Sequence, residues 1–238
     1  MFKTKLDFNN ETALQASIQL LAKEVAFDSL LEINDAKYRI VEFEYYYYGE
    51  TFKDVQAHNH NLQKEPYKLY DHASGLDITL GDGTNAAAML LRGVAKLSPH
   101  PTNPAEYIVS KYFDGPHIVR TELISQLNLN QPNNIRISTQ HSITIPLLSE
   151  ALSYLINTAR INMSHLKAGP EDKYILEPLR YVLLSPRSKR NEIGKLVPNG
   201  NPIKVKGIES IVKAALSKNI ISHDVAETSL GYTIKINE

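Results

Sequence analysis

Residues 40–48, IVEFEYYYY, set two carboxylates and four tyrosines into one short run of sequence. In a strand successive side chains alternate faces, so Val41, Phe43, Tyr45 and Tyr47 point one way and Glu42, Glu44, Tyr46 and Tyr48 the other. The first set reads as core. The second, acid next to aromatic, is what a pocket needs to stack a flat ring and activate a water beside it. The alternative is an edge strand with its charges turned outward and its tyrosines packed at their rims.

Glu44 suits a general base, because a carboxylate in a partly apolar pocket can orient and deprotonate a water that a cation or carbonyl shares. Arg92, closing the apolar run AAAMLLR, is a candidate partner; otherwise it is a surface or salt-bridge residue. Arg160 and Arg180 also end apolar stretches and are individually uninformative. His58, Asn59 and His60, with His72, form one cluster worth testing for a metal, but the spacing matches no strong zinc signature and no metal or other cofactor is expected. Gly81-Asp82-Gly83 is a turn, since no GxxxxGK[ST] or GxGxxG leads from a strand into a helix.

The elements that must position these residues follow from periodicity. Leu14, Ile18, Leu21, Ala22, Val25, Leu30 and Leu31 recur at helical spacing over 10–32, which predicts an amphipathic first helix ending near Asp28-Ser29. A strand follows at 38–48, then a polar loop at 49–68, of a length often functional in compact domains. Short strands fill 69–83, broken at Gly75, and a buried strand runs through 86–97 between Asp82-Gly83 and Pro99. Gly115-Pro116 opens a helix over 115–129, where proline fits the first turn. Beyond it come one or two strands in 135–148, a strand carrying Arg160, and a strand over 176–186. A late helix at 204–222 and a closing strand at 230–237, LGYTIKIN, complete the pattern.

The 238 residues are enough for one sizeable core, and a single domain is expected. A hydrophobic fraction of 42% and a charged fraction of 22% are those of an ordinary globular protein. With 26 basic and 26 acidic residues the formal net charge is zero, which argues against coating nucleic acid by bulk charge. There are no cysteines, so disulfides and thiolate metal sites are excluded. No apolar run reaches the roughly 18 residues of a membrane span, and MFKTKLDFNN lacks a signal core; a cytoplasmic, monomeric protein is the expectation.

At these same residues the chain resembles the alkyladenine (3-methyladenine) DNA glycosylase family, collinearly over some 150 residues. RIVEFEYYYYGETFKDVQAH (39–58) is similar to that family's RIVE-T-E-AY-G-x-x-D-x-x-x-H segment. LYDHASG (69–75) and MLLRGVAKL (89–97) resemble its LYVY…YG and VLLRAxEPL segments. DGPHIVRTELISQLNL (114–129) resembles its GP-x-K-L-x-x-A-L-x-I helix, ARINMS (159–164) its PRIGIS strand, and EPLRYVLLSP (177–186) its PLRFY strand.

The resemblance implies a compact α+β domain with a curved antiparallel sheet and flanking helices, like the C-terminal domain of formyltransferases. Residues 1–190 would form the glycosylase-like domain; residues 191–238 lie outside the resemblance and read as a C-terminal extension packed on it, offering Lys195, Lys204, Lys206, Lys213 and Lys218 to DNA or serving only for packing. It implies an enzyme that flips a damaged purine out of DNA and hydrolyses its N-glycosidic bond, which requires aromatic stacking and an aimed water. Carried over by position, Glu44 is the water-activating glutamate, Arg92 helps hold the water, and the Ile161 carbonyl completes its shell. Tyr46 is one stacking tyrosine and His58 the histidine that stacks and reads the base edge. Two departures bear on substrate: His72 replaces the second stacking tyrosine, and Ser74 replaces the tyrosine that wedges into the DNA stack. A single strand, a free nucleoside, or a catalytically silent base- or protein-binding role therefore stand beside duplex DNA.

Overall fold

The structure is a computed structural model and describes residues 1–50, 52–139, 154–161, 163, 173–198 and 207–234. It is an α+β domain built on one curled antiparallel sheet. The sheet comprises β1 (Ser29–Ile33), β2 (Ala36–Tyr48), β3 (Leu69–His72), β4 (Gly75–Thr79), β5 (Ala86–Pro99), β6 (Tyr107–Asp114), β7 (Ile135–Thr139), β8 (Tyr154–Thr158) and β9 (Arg180–Leu184). The order β3-β4-β5-β2-β1-β7 forms the main path; β6 also pairs with β5, and β9 pairs with β2 and β8.

β2 and β5 are the two long strands, and each serves two neighbours on its outer edge. Along β5, β4 takes residues 88–90 and β6 takes 93–99; along β2, β1 takes 36–38 and β9 takes 42–44. The sheet divides where the two strands meet at Glu42 and Gly93. There Ile40 pairs with Val94, Glu42 with Gly93 and Phe43 with Leu91, so Val41 and Arg92 are the extra residues of two adjacent bulges. A bulge bends a strand and re-aims its side chains. Val41 is thereby turned away from Phe43, Tyr45 and Tyr47: it packs with Ala95, Val182 and Leu183, whereas those three rings pack with Met89 and Leu91. The expectation that all four share a face fails at this bulge, and the edge-strand alternative fails because β2 has partners on both sides.

Helix α1 (Glu11–Lys23) is capped by Asn10, whose side chain accepts from the Ala13 amide at 2.9 Å. Leu14, Ile18, Leu21 and Ala22 from α1, and Val25 just beyond it, enter the core, each large side chain contributing about 1.5–3 kcal/mol. A π-helical turn, Glu24–Asp28, ends the helix, and Leu30 and Leu31 lie on β1 rather than on the predicted helical stripe. The loop at 49–68 contains a one-turn helix, α2 (Asn61–Lys64), capped by His60. Helix α3 (Pro116–Ser125) begins at Pro116 and seats Val119 and Leu123 in the core.

Several expectations for the second half change. The strand β6 lies in a stretch where none was predicted. Arg160 follows β8 instead of sitting on it, and Leu176 ends a short helix, α4 (Lys173–Leu176), four residues before β9 begins. Residues 140–148 of the predicted 135–148 strands lie outside the described residues. A hairpin, β10 (Ser188–Arg190) with β11 (Leu196–Pro198), precedes α5 (Ile208–Ser217) and α6 (His223–Leu230). The predicted closing strand is absent from the described part of its range: Leu230 ends α6, Gly231 caps it at φ 82°, and residues 232–234 form no strand. Ile211, Val212, Ala215, Ala226 and Leu230 join the core cluster of β8 and β9, so α5 and α6 pack against the same sheet. Among the described residues no helix is long and apolar enough to cross a membrane.

Candidate active site

On the face of β2 opposite Phe43 and Tyr45, Glu44 is fully buried. Its Oε2 accepts from the Tyr46 hydroxyl at 2.9 Å and from Arg92 Nη1 at 3.2 Å, and its Oε1 accepts from the Ile161 amide at 2.9 Å. A carboxylate offers about four acceptor positions, and donors among the described residues fill three. All three donors line a cleft of about 540 Å³, and Glu44 lies directly behind them. Tyr46, His58, His72, Ser74, Arg92 and Ile161 all border this cleft. The structure therefore brings together every residue singled out by the resemblance. Ile161 reaches Glu44 through its amide, which donates.

Two further arginines hold this floor. Arg160 Nη1 and Nη2 grip the carboxylate of the fully buried Asp54 at 2.5 and 3.1 Å, and the same two nitrogens donate to the Tyr45 and Tyr174 carbonyls. This bidentate clamp ties the segment after β8 to β2, and so presents the next residue, Ile161, to Glu44. The Arg160 guanidinium also lies 4.5 Å from the centre of the Tyr46 ring, covering one of its faces. Arg180 donates to Glu42 through Nε at 2.9 Å with its Nη2 2.8 Å from the same oxygen, and Arg92 Nε reaches that oxygen at 3.1 Å.

Burial acts to lower both Arg92 and Arg160, but the neighbouring carboxylates outweigh it. Glu44 and Glu42 raise the Arg92 guanidinium, and Asp54 with Tyr46 raises Arg160. Tyr46 is pushed well above the ordinary phenol range, first by burial and then by the adjacent Glu44 charge. The floor thus holds fixed cations and a neutral phenol.

The opposite wall comes from the β3–β4 hairpin. His72 Nε2 lies 2.9 Å from Asp77 Oδ1, and its Nδ1 accepts from the Ser74 amide at 3.2 Å. This pattern assigns the ring proton to Nε2 and commits both nitrogens within the chain. Gln63 Nε2 donates to the other Asp77 oxygen at 3.3 Å. Tyr70 is sandwiched between His60 and His72, at 5.0 and 5.1 Å between ring centres, and His58 meets His72 edge to face at 4.4 Å. His60 uses its Nδ1 to cap α2. His58, His60 and His72 thus all make ring contacts around Tyr70, and among the described residues no three His, Cys, Asp or Glu side chains are placed to hold a metal ion. Ala73 and Ser74 form the exposed two-residue tip between the strands.

Asp54, Asp77 and Gln63 carried no assigned role in the sequence. Asp77 had a signal: it is a lone charge in Gly75–Thr79, a strand buried at every position. A carboxylate there must meet a polar partner across the sheet face. Asp54 sits in irregular backbone and Gln63 in the single turn of α2, both too short of repeats for periodicity to reveal burial. No family model matches the chain, and no curated protein matches it.

Proposed function

We propose that this protein is a divergent purine DNA glycosylase that excises alkylated or deaminated purines by hydrolysing the N-glycosidic bond, and that its sheet is of the formyltransferase C-terminal-domain type. The observation that carries the reading is the convergence of Tyr46, Arg92 and the Ile161 amide on buried Glu44 at the floor of a cleft walled by His58 and His72. In this reading a flipped base stacks between Tyr46, on the face that Arg160 leaves, and the His72 ring. A water takes the remaining acceptor position of Glu44 and is aimed at the sugar carbon. As the base departs with the bonding electrons, Glu44 accepts the water's proton and the resulting hydroxyl oxygen bonds to the sugar carbon. The Glu44 charge also stabilises the cationic sugar that develops.

A second reading moves the substrate to a single strand or a nucleoside. It is favoured by the hairpin tip, where Ala73 and Ser74 offer no side chain large enough to fill the space of an extruded base, and by Arg120, whose charge is paired with Asp71 beside that hairpin. Base release from duplex, single-stranded and free-nucleoside hypoxanthine separates the two. Release from duplex alone supports the first reading, and comparable release from the nucleoside supports the second. Binding of a purine without turnover on any of the three would leave a silent recognition module.

A further inference from the structure

Glu42 does not line the cleft, yet it is 1% exposed and pairs with two buried arginines, Arg92 and Arg180. Its Oε1 accepts from Arg92 Nε and from Arg180 Nε and also lies 2.8 Å from Arg180 Nη2, while its Oε2 has no hydrogen-bond partner. Arg92 is consequently held at two points, Nε by Glu42 and Nη1 by Glu44 at 3.2 Å. A planar guanidinium fixed at two of its donors has one orientation.

The backbone is shaped for this arrangement. Arg92 is the extra residue of its bulge, and Gly93 beside it is the one β5 residue opposite Glu42. A Cβ at Gly93 would stand 2.9 Å from the Glu42 Cβ and 2.7 Å from the Tyr112 hydroxyl, so only glycine leaves Glu42 its seat. The Tyr112 hydroxyl also has no hydrogen-bond partner, and burial followed by the Glu42 charge raises it well above the ordinary phenol range. A buried carboxylate with a free oxygen next to an unmatched hydroxyl is a costly arrangement, and it is not the best local solution for stability.

We propose that Glu42 is a positioning residue: by holding Arg92 at Nε it limits that guanidinium to one hydrogen bond with Glu44 and so keeps one Glu44 oxygen position open for the water. Without Glu42, Arg92 turns about its stem and closes on Glu44 through two donors, occupying the position the water needs. The inference rests on the glycosylase reading, and two readouts keep their failures apart.

The first readout needs no turnover. In ¹⁵N spectra of the whole protein the Arg92 Nε–H signal is expected to be protected from exchange, to be lost or strongly shifted in Glu42→Gln, and to persist in Glu44→Gln. The second is single-turnover base release. Glu42→Gln is expected to slow it by about tenfold or more with the half-saturating protein concentration unchanged, and to add nothing in an Arg92→Lys background, where a lysine cannot close bidentately. Glu42→Asp retains the charge but withdraws it from Arg92 Nε; it is expected to be slowed as well and serves if the glutamine variant does not fold. A wild-type rate in either Glu42 variant, or an Arg92 Nε–H signal indifferent to Glu42, overturns the proposal. If the wild type releases no base, the spectrum alone decides whether Glu42 holds Arg92, and the glycosylase reading is the part that has failed.

Discussion

Asp54→Asn tests the clamp beneath the site. The Asp54 and Arg160 side chains are both fully buried, and two hydrogen bonds at 2.5 and 3.1 Å join them. The substitution keeps the shape and one acceptor but leaves Arg160 charged in a site that water does not reach. Removing one partner of a buried pair costs about 3–5 kcal/mol, and the retained acceptor together with the Tyr45 and Tyr174 carbonyls places this case near ~3 kcal/mol. For a chain of this size each kcal/mol moves Tm by about 2–4 °C, so a fall of about 6–12 °C is expected in thermal unfolding followed by circular dichroism. Asp71→Asn supplies the control, because Asp71 pairs bidentately with Arg120 on the surface, where solvent screens the attraction. Its Tm should stay within measurement scatter of the wild type. If Asp54→Asn lowers Tm no more than Asp71→Asn does, burial does not set the worth of the clamp and the argument built on it is wrong.

Three further outcomes follow from the geometry. Tyr46→Phe removes the hydroxyl that donates to Glu44 but keeps the ring under Arg160; a hydrogen bond to a charged group is worth about 1.5–3 kcal/mol, so urea unfolding should show a loss of that order with an unchanged m-value. Gly93→Ala should displace Glu42 and Tyr112 and destabilise the fold by roughly 1–3 kcal/mol, measured the same way, whereas a neutral result would show that the sheet has room there. Glu32 is raised by burial but drawn down further by Ser138, Arg136 and Lys37, to about 2 from 4.5. A depressed carboxylate stabilises the fold above its unfolded value and loses that contribution as pH falls through its folded value. Stability should therefore decline between about pH 4.5 and 2, and Glu32→Gln should flatten that part of the profile; an unchanged profile contradicts the assignment.

Much of the site was legible because it lies on strands with simple alternation. Glu44 and Tyr46 share a face as their spacing requires, and Phe43, Tyr45 and Tyr47 fill the other. What alternation could not supply was the pair of bulges at Val41 and Arg92, which move one expected core residue to the other cluster and turn an arginine toward two carboxylates. Arg92 closes an apolar run inside the predicted 86–97 strand, and β5 does run through it, to Pro99, since Glu42 and Glu44 neutralise that charge in the sheet interior. Arg160 and Arg180 looked uninformative because their partners, Asp54 and Glu42, are over a hundred residues away along the chain. The missed α6 has a local cause. Ser222 caps the helix by accepting from the Val225 amide, and Gly231 at positive φ stops it, so Leu230 ends a helix where the apolar alternation placed the start of a strand.

The central claim is that Glu44 activates a water at the floor of this cleft. Its most direct test is single-turnover base release from a duplex carrying one hypoxanthine or ethenoadenine, read as alkali-labile strand cleavage, for the wild type and for Glu44→Gln confirmed to be folded. Release by the wild type and its loss in the variant is the predicted result. Equal release by both proteins, or none by the wild type, contradicts it.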